Sequence, residues 1–267
     1  MELFYRDIGK GFPVIILHGL YGSSDNWVSI ANRLGEYYRI ILVDQRNHGN
    51  SPHDISHTYS DLADDLYLLV RKLELQKFFL IGHSMGGRTA MQFQTLYPNF
   101  VEKLIVVDVA PWSYSGNNPW FRKSFNEHKS IIQGMLNLPL ANLQSRVEAD
   151  RELTIQIPAE KLRQFLFKNL KRDKNGRFFW SINLSALEKN LEGMILGVDV
   201  DARVVQDLDI LFIRGGESDY IPNERLAEIN EIYPKAQCVT IDKAGHWLHA
   251  EQPEDFMKVV LGFLSKP

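Results

Sequence analysis

The chain has 267 residues, a net charge of −3 and a pI near 6.2, and 45% of its residues are hydrophobic. This is the composition of an ordinary globular protein. No segment approaches about 18 consecutive apolar residues, which argues against a membrane span, and no basic face or tail indicates nucleic acid or an anionic membrane as a partner. No signal-peptide pattern is visible at the N-terminus, so we expect a cytoplasmic protein.

Short apolar runs alternate with amphipathic stretches along the chain. The runs show little polar alternation, as is typical of strands covered on both faces. They lie at Val14–Leu17, Arg39–Val43, Phe78–Ile81, Leu104–Val107, Ile210–Ile213 and Val239–Ile241. Helices are predicted at Ser24–Leu34, Tyr59–Leu75, Met85–Tyr97, Pro222–Ile232 and Pro253–Leu264. The alternation predicts an α/β fold with a mostly parallel, doubly wound sheet. The single cysteine, Cys238, adjoins the last strand, where we expect a buried structural thiol.

The alternation of predicted strands and helices stops at about residue 112 and resumes after residue 201. The intervening segment has no convincing strand pair, and its helix-like pieces lie at Phe121–Leu136, Leu140–Leu153, Ala159–Lys171 and Leu184–Leu196. We therefore predict a core of residues 1–111 and 202–267, with residues 112–201 inserted as a helical cap. A separate binding domain is the alternative, and it is disfavoured because the chain returns to the same sheet.

A Gly-x-Ser-x-Gly pattern, Gly82-His83-Ser84-Met85-Gly86, joins a predicted strand to the helix that follows it. A sharp turn at this point lifts the serine hydroxyl above the carboxyl edge of a parallel sheet. Glycine at positions 82 and 86 makes the turn sterically possible. A flexible loop is the alternative interpretation of the pattern, but the strand before it and the helix after it favour Ser84 as a nucleophile.

A serine nucleophile needs a general base, and that base needs an orienting carboxylate. His246 follows the last predicted strand and precedes the last helix, so we expect it at the same sheet edge as Ser84. A surface-loop histidine is the alternative. Two acids also follow strands at this edge, Asp108 and Asp219, and either satisfies the chain order of serine, acid and histidine. For each of them the alternative is an aspartate that caps a turn.

The segment His18-Gly19-Leu20-Tyr21-Gly22 follows the first predicted strand. A loop in this place can aim the backbone N–H of Leu20 beside that of Met85. Two such donors stabilise the negative charge that develops on a carbonyl oxygen in the transition state. We therefore predict an oxyanion hole from Leu20 and Met85, with a plain turn as the alternative.

Together these segments resemble the α/β-hydrolase superfamily. The matching segments are residues 18–22, 44–51 (Asp-Gln-Arg-Asn-His-Gly-Asn-Ser), 82–86, 214–220 and 245–247. The 44–51 form and the sequence Asp-Val-Ala-Pro at 108–111 are similar to a short-chain esterase branch, which includes small bacterial esterases and mitochondrial abhydrolase-domain proteins. In that branch the acid matches Asp108, and a serine matching Ser218 assists the histidine. Here Asp219 stands beside that serine, close to where most of the superfamily keeps its acid. The resemblance to the esterase branch makes Asp108 the preferred acid, and Asp219 stays as the alternative.

Other chemistry-bearing residues have weaker patterns. A metal site from His48, His53, Asp54 and His57 is conceivable, but their spacing fits no compact motif, and His83 is expected to be structural. The aromatic residues of the predicted cap could line an acyl pocket, but for most of them we expect a place in the core of the cap. They are Trp112, Trp120, Phe178, Phe179 and Trp180.

The sequence thus predicts a serine hydrolase that cleaves carboxylic esters or thioesters through an acyl-enzyme. Its expected partner is a small-molecule substrate, and no metal or organic cofactor is required. A carbon–carbon bond hydrolase or lyase would keep the same triad and stays open. A non-catalytic ligand-binding member of the fold is the third possibility.

Overall fold

The computed structural model describes residues 1–201 and 205–265. The strands in these ranges are β1 (Tyr5–Ile8), β2 (Pro13–Leu17), β3 (Arg39–Val43), β4 (Phe78–His83), β5 (Val101–Val107), β6 (Leu170–Arg172), β7 (Phe178–Trp180), β8 (Asp209–Gly215) and β9 (Gln237–Ile241). Seven of them form one sheet in the order β1-β3-β2-β4-β5-β8-β9, in which only β1 is antiparallel to its neighbour. The mostly parallel sheet predicted from the sequence is confirmed, although β1 was not predicted. It is an edge strand without an apolar run, so its sequence has no clear strand pattern.

Helices cover both faces of this sheet. They are α1 (Val28–Leu34), α2 (Tyr59–Lys72), α3 (Met85–Leu96), α8 (Leu226–Ile232), α9 (Leu248–Glu251) and α10 (Pro253–Leu264). Successive strand residues point to opposite faces. In β2, Ile15 and Leu17 belong to the apolar cluster that contains α2 and α3, whereas Val14 and Ile16 belong to the cluster that contains α1 and α10. The sheet is therefore doubly wound.

The chain leaves the sheet after β5 and enters it again at β8. Between these strands lie the helices α4 (Pro119–Asn137), α5 (Arg146–Thr154), α6 (Glu160–Leu166) and α7 (Leu184–Leu196). These helices lie in the segment 112–201 for which the sequence predicts an inserted cap, and we call this segment the cap. Residues 202–204, where the sequence places the start of the second core segment, lie outside the described residues.

The cap contains a strand pair that the sequence did not predict. β6 and β7 form an antiparallel hairpin, and its turn uses Gly176 at φ +79° and the Asp173 carboxylate, which accepts the backbone N–H groups of Asn175 and Arg177 at 2.8 and 2.9 Å. Each strand has only three residues, which is too short for a pattern of alternating burial to be recognised in the sequence. The helix predicted over 159–171 accordingly ends at Leu166.

Two other predictions differ from the structure. The helix expected over 140–153 begins only at Arg146, because the Ser145 hydroxyl accepts the N–H of Glu148 at 3.2 Å and caps the helix there. The expectation of a buried Cys238 was wrong, since this residue is exposed. It lies on β9, which is an edge strand of the sheet and leaves part of its length uncovered.

The topology gathers the candidate functional loops at one place. Because β2, β4, β5, β8 and β9 are parallel, the loops that follow them all emerge at the carboxyl edge of the sheet. The cap is inserted at this same edge, after β5. None of the helices in the described ranges combines the length and the hydrophobicity that a bilayer crossing requires.

Candidate active site

The turn between β4 and α3 has the strained geometry of a nucleophile elbow. Ser84 adopts φ 54° and ψ −116°, a conformation that a residue with a side chain rarely takes. A Cβ at Gly82 would lie 2.3 Å from the carbonyl oxygen of Gly86, and a Cβ at Gly86 would lie 2.5 Å from that of Leu17. Both glycines are therefore needed for β4, α3 and β2 to approach this closely. Ser84, at the tip of this turn, lines a cavity under the cap.

His246 lies in the loop between β9 and α9 and contacts Asp108. Its Nδ1–H donates to Oδ2 of Asp108 at 2.7 Å. The carboxylate is fully buried, and it also accepts the Gly215 N–H at 3.0 Å and the Ser218 hydroxyl. These contacts fix the orientation of the ring and place its proton on Nδ1, which leaves the lone pair on Nε2. His246 and Ser84 line the same cavity.

Asp219, the alternative acid, lies outside this cluster. Its side chain is 58% exposed and forms an ion pair with Lys123 of α4, with 2.7 Å between Oδ2 and Nζ. The structure thus brings Asp108 and Ser218, but not Asp219, to His246.

The predicted oxyanion loop packs directly on the elbow. A Cβ at Gly19 would lie 3.2 Å from the Cβ of Ser84 and 2.8 Å from Nδ1 of His83. Only glycine lets the loop come so near. Leu20, which follows it, and Met85, which heads α3, both line the cavity beside Ser84.

The segment of residues 44–51 supports this loop from below. The backbone N–H of Gln45 donates to Nε2 of the buried His18 at 3.0 Å, and the side-chain amide of Gln45 donates to the His18 carbonyl at 2.7 Å. The remaining ring nitrogen of His18 donates to the Gly19 carbonyl at 2.9 Å. Burial lowers the pKa of His18, so the ring stays neutral and holds the loop in place through these hydrogen bonds.

His48 supports the next residue of the loop in the same way. Its Nε2 accepts the Tyr21 N–H at 3.3 Å, while its Nδ1–H donates to the Arg46 carbonyl at 2.9 Å. Burial lowers the pKa of His48 as well. Sequence reasoning missed this supporting role. The available signal was that residues 44–51 follow β3, which lies directly beside β2.

The histidines considered for a metal site make other contacts. His57 hydrogen-bonds through Nδ1 to the Asn47 amide at 3.2 Å, and its Nε2 lies 3.4 Å from the sulfur of Met85. His53 is exposed. Across the described parts of the chain, no group of three or more His, Cys, Asp or Glu side chains is arranged to hold a metal ion.

Two aromatic neighbours hold the ring of His246. Tyr220 stacks on it, with ring centroids 3.9 Å apart and planes 14° from parallel. Burial raises the pKa of the Tyr220 hydroxyl, which keeps it protonated. On the elbow, His83 donates through Nε2 to the His246 carbonyl at 2.8 Å, a structural role of the kind expected. The sequence showed Tyr220 only as part of a motif, because stacking depends on how two loops meet.

The cavity has a volume of about 230 Å³. The core contributes the catalytic candidates and Tyr59, and the cap contributes mainly apolar side chains from α4, α6 and α7. Of the five aromatic residues considered, Trp120 lines the cavity. Trp112 and Phe178 are buried in the apolar cluster, Trp180 donates its indole N–H to the Met135 carbonyl at 2.9 Å, and Phe179 is exposed.

The fold and this site define a hydrolase of the α/β class, and comparison with known proteins gives the family. The sequence profile described as "alpha/beta hydrolase fold" matches residues 13–253, and the chain belongs to this family.

Individual relatives are esterases and a lipase. The chain is 36% identical over 255 residues to the sn-1-specific diacylglycerol lipase ABHD11 of Mus musculus, covering 94% of this chain and 80% of that protein. It is 30% identical to the esterase YbfF of Escherichia coli, covering 95% and 93%. Among solved structures, "Marine microorganism esterase" superposes with a TM-score of 0.91 at 42% identity, covering 98% and 99%. The resemblance to the esterase branch that includes abhydrolase-domain proteins is thereby confirmed.

Proposed function

We propose that this protein is a serine hydrolase that cleaves carboxylic esters or thioesters through an acyl-enzyme intermediate. The observation that carries the proposal is the 2.7 Å contact between His246 Nδ1 and Asp108 Oδ2, in a cavity that Ser84 also lines. The esterase relatives support an ester as the substrate class.

In the proposed mechanism, His246 takes the proton of the Ser84 hydroxyl as its oxygen attacks the carbonyl carbon. Asp108 holds the imidazole in the required tautomer and stabilises the imidazolium that forms. The N–H groups of Leu20 and Met85 stabilise the oxyanion. His246 then gives its proton to the leaving alcohol or thiol. Water, activated by the same ring, releases the acid and restores Ser84.

The size of the cavity favours short acyl groups. Pockets for drug-sized ligands usually measure roughly 300–1,000 Å³, and this one is about 230 Å³. One relative is named for diacylglycerol. A whole diacylglycerol would need the cap to move, whereas a short-chain ester fits the present shape.

Two other functions use the same residues. A carbon–carbon hydrolase would turn over a β-diketone faster than a simple ester, so these two substrates separate it from an esterase. A non-catalytic binding member would at most form one acyl-enzyme per chain. Repeated turnover of an ester after any initial burst argues against it.

The central test is Ser84→Ala, measured against esters of increasing acyl length and their thioesters. We expect turnover to fall to background for every substrate, because the variant lacks the nucleophile, while circular dichroism shows the same fold. Activity near the wild-type rate in the folded variant would contradict the proposal.

A further inference from the structure

The cavity contains a buried cation that the mechanism above does not use. This cation is Arg88, which lines the cavity and is only 4% exposed. Arg88 lies in α3, and its backbone N–H donates to the Ser84 carbonyl at 3.1 Å, so it stands one helical turn from the nucleophile. The four residues from Ser84 to Arg88 rise about 6 Å along the helix axis. Ser84 and Arg88 both line this cavity, so a ligand bound at Ser84 shares it with the guanidinium.

The protein satisfies this guanidinium only in part. Nη1 donates to the carbonyl oxygens of Met194 and Ile195, near the end of α7. The Met194 oxygen is shared, because it also accepts the Tyr59 hydroxyl at 3.0 Å. Nε is buried and has no hydrogen-bond partner. An arginine side chain has five N–H donors, so the two neutral carbonyls and the neighbouring Tyr59 hydroxyl leave part of its capacity unused.

No carboxylate neutralises Arg88 either. In the described ranges no Asp or Glu oxygen lies within 4.0 Å of its guanidinium nitrogens. The acid of the cavity wall is Glu127, an exposed residue of α4. Two other buried arginines do have carboxylate partners, since Arg46 pairs with Asp65 and Arg163 with Asp150, whereas the buried Arg214 donates to the Asn223 side-chain oxygen and does not line the cavity. A buried charge without a counter-charge is costly to the protein, and an anionic ligand would remove that cost.

We propose that Arg88 is a specificity residue that selects substrates carrying a carboxylate a few bonds from the scissile carbonyl. This proposal rests on the proposed esterase function. The planar guanidinium matches the two oxygens of a carboxylate. A short hemiester of a dicarboxylic acid fits the cavity and brings its free carboxylate to Arg88 while its ester carbonyl lies at Ser84. A neutral ester of equal length leaves the cation unpaired.

The test compares kcat/KM for pairs of esters that differ only in charge, with acid release followed in a pH-stat. Monoethyl adipate against ethyl hexanoate, and monoethyl glutarate against ethyl pentanoate, place the carboxylate on the acyl side. The 3-acetoxypropanoate anion against propyl acetate places it on the alcohol side. We expect wild-type protein to prefer the anionic member of at least one pair by about tenfold or more, the size of effect that hydrogen bonds to a charged group give. The preferred pair identifies the side.

The variants separate selection from structure. Arg88→Met should reduce the preference ratio to about one. Arg88→Lys should keep part of the preference, because lysine keeps the positive charge but lacks the pair of parallel N–H donors of the guanidinium. A purely structural role would lower both members of a pair equally and leave the ratio unchanged, which would overturn the proposal. Arg225→Met is the matched control. Arg225 stacks on Trp112 and is not among the residues lining the cavity, so its ratio should match wild type.

A binding measurement keeps the proposal testable if the variants fold poorly or the esters are not cleaved. Titration calorimetry of the wild-type protein with adipate should show binding that hexanamide of the same length does not show. Failure of all ester turnover with adipate binding intact would reject the esterase function but retain the anion subsite. Turnover without any anionic preference or adipate binding would reject the subsite alone.

Discussion

Asp108 directly follows β5, and Asp219 lies in the loop after the neighbouring strand β8, yet their side chains have different environments. Asp108 is fully buried and accepts hydrogen bonds from His246, Ser218 and the Gly215 N–H. Asp219 is exposed, and its partner Lys123 lies in the cap. An exposed ion pair contributes little, whereas a buried carboxylate on an imidazole controls the tautomer and charge of that ring.

We expect Asp108→Asn to lower kcat by about three to four orders of magnitude, because the amide cannot hold His246 in the required tautomer. Asp219→Asn should change kcat by less than about threefold. The measurement is ester turnover by both variants, with thermal unfolding as a control for folding. Equal and small losses would exclude Asp108 as the acid, and a larger loss for Asp219→Asn would reverse the assignment.

The buried His249 is expected to make the stability of the protein depend on pH. His249 stacks on Trp27, with ring centroids 4.1 Å apart and planes 6° from parallel, and its Nδ1 has no hydrogen-bond partner. Burial lowers the pKa of His249 to about 3. In the unfolded chain its pKa is about 6.5. Between these values the unfolded state binds more protons, so the free energy of unfolding decreases as the pH falls.

His249→Phe should reduce this pH dependence while it keeps a ring on Trp27. Each such histidine contributes a slope of up to about 1.4 kcal/mol per pH unit below pH 6.5. Urea unfolding between pH 7 and pH 4.5 should therefore show a shallower loss of stability for the variant than for wild type. Identical slopes would mean that His249 is protonated in the folded protein.

The cap elements are joined to the core by asparagine side chains. Asn169, in the turn between α6 and β6, is buried and donates to the Tyr21 carbonyl at 2.7 Å. Tyr21 has φ +61° and belongs to the predicted oxyanion loop, and its hydroxyl lies 3.2 Å from Nδ1 of His128 in α4. Cap and oxyanion loop are thus mechanically connected. Asn190, in α7, donates to the Ile55 carbonyl at 2.9 Å, away from that loop.

Asn169→Ala should lower kcat by about tenfold, because the loop that carries the Leu20 N–H loses a buried support and its donor becomes less well placed. Asn190→Ala is the control, since it also removes a hydrogen bond between cap and core. Both variants should lose about 1 kcal/mol of stability. If kcat for the two variants fell equally, the connection to the oxyanion loop would have no part in catalysis.

On the scale of the whole molecule, cap and core share one apolar cluster. It contains Leu17 and Val106 of the sheet and Leu62 of α2, together with Phe121 and Leu187 of the cap. The cap therefore depends on the sheet for the burial of its own apolar side chains.

We expect thermal unfolding in a single transition, with a calorimetric enthalpy close to the van't Hoff enthalpy. Near-ultraviolet and far-ultraviolet circular dichroism should give the same midpoint, because the cap cannot lose its packing without exposing apolar side chains of the cluster that it shares with the core. Two separated transitions would show that the cap is an independent unit.

The sequence by itself determined six of the seven strands of the core sheet and the turn at Ser84. Both depend on short-range patterns, namely continuous apolar runs and glycines where a Cβ would collide with backbone. The candidate base was also recognisable, because a residue that follows a parallel strand must lie at the carboxyl edge. These features need no knowledge of how distant segments pack.

Only the tertiary structure showed that Asp108 and not Asp219 contacts His246, paired β6 with β7, and placed Arg88 in the cavity wall with no carboxylate within 4.0 Å among the described residues. Each of these depends on the direction of a side chain or on a contact between segments far apart in the chain. Two aspartates after strands have nearly the same local sequence context. What distinguishes them is the set of buried donors around each carboxylate, and that set exists only after the loops, the sheet and the cap have packed together.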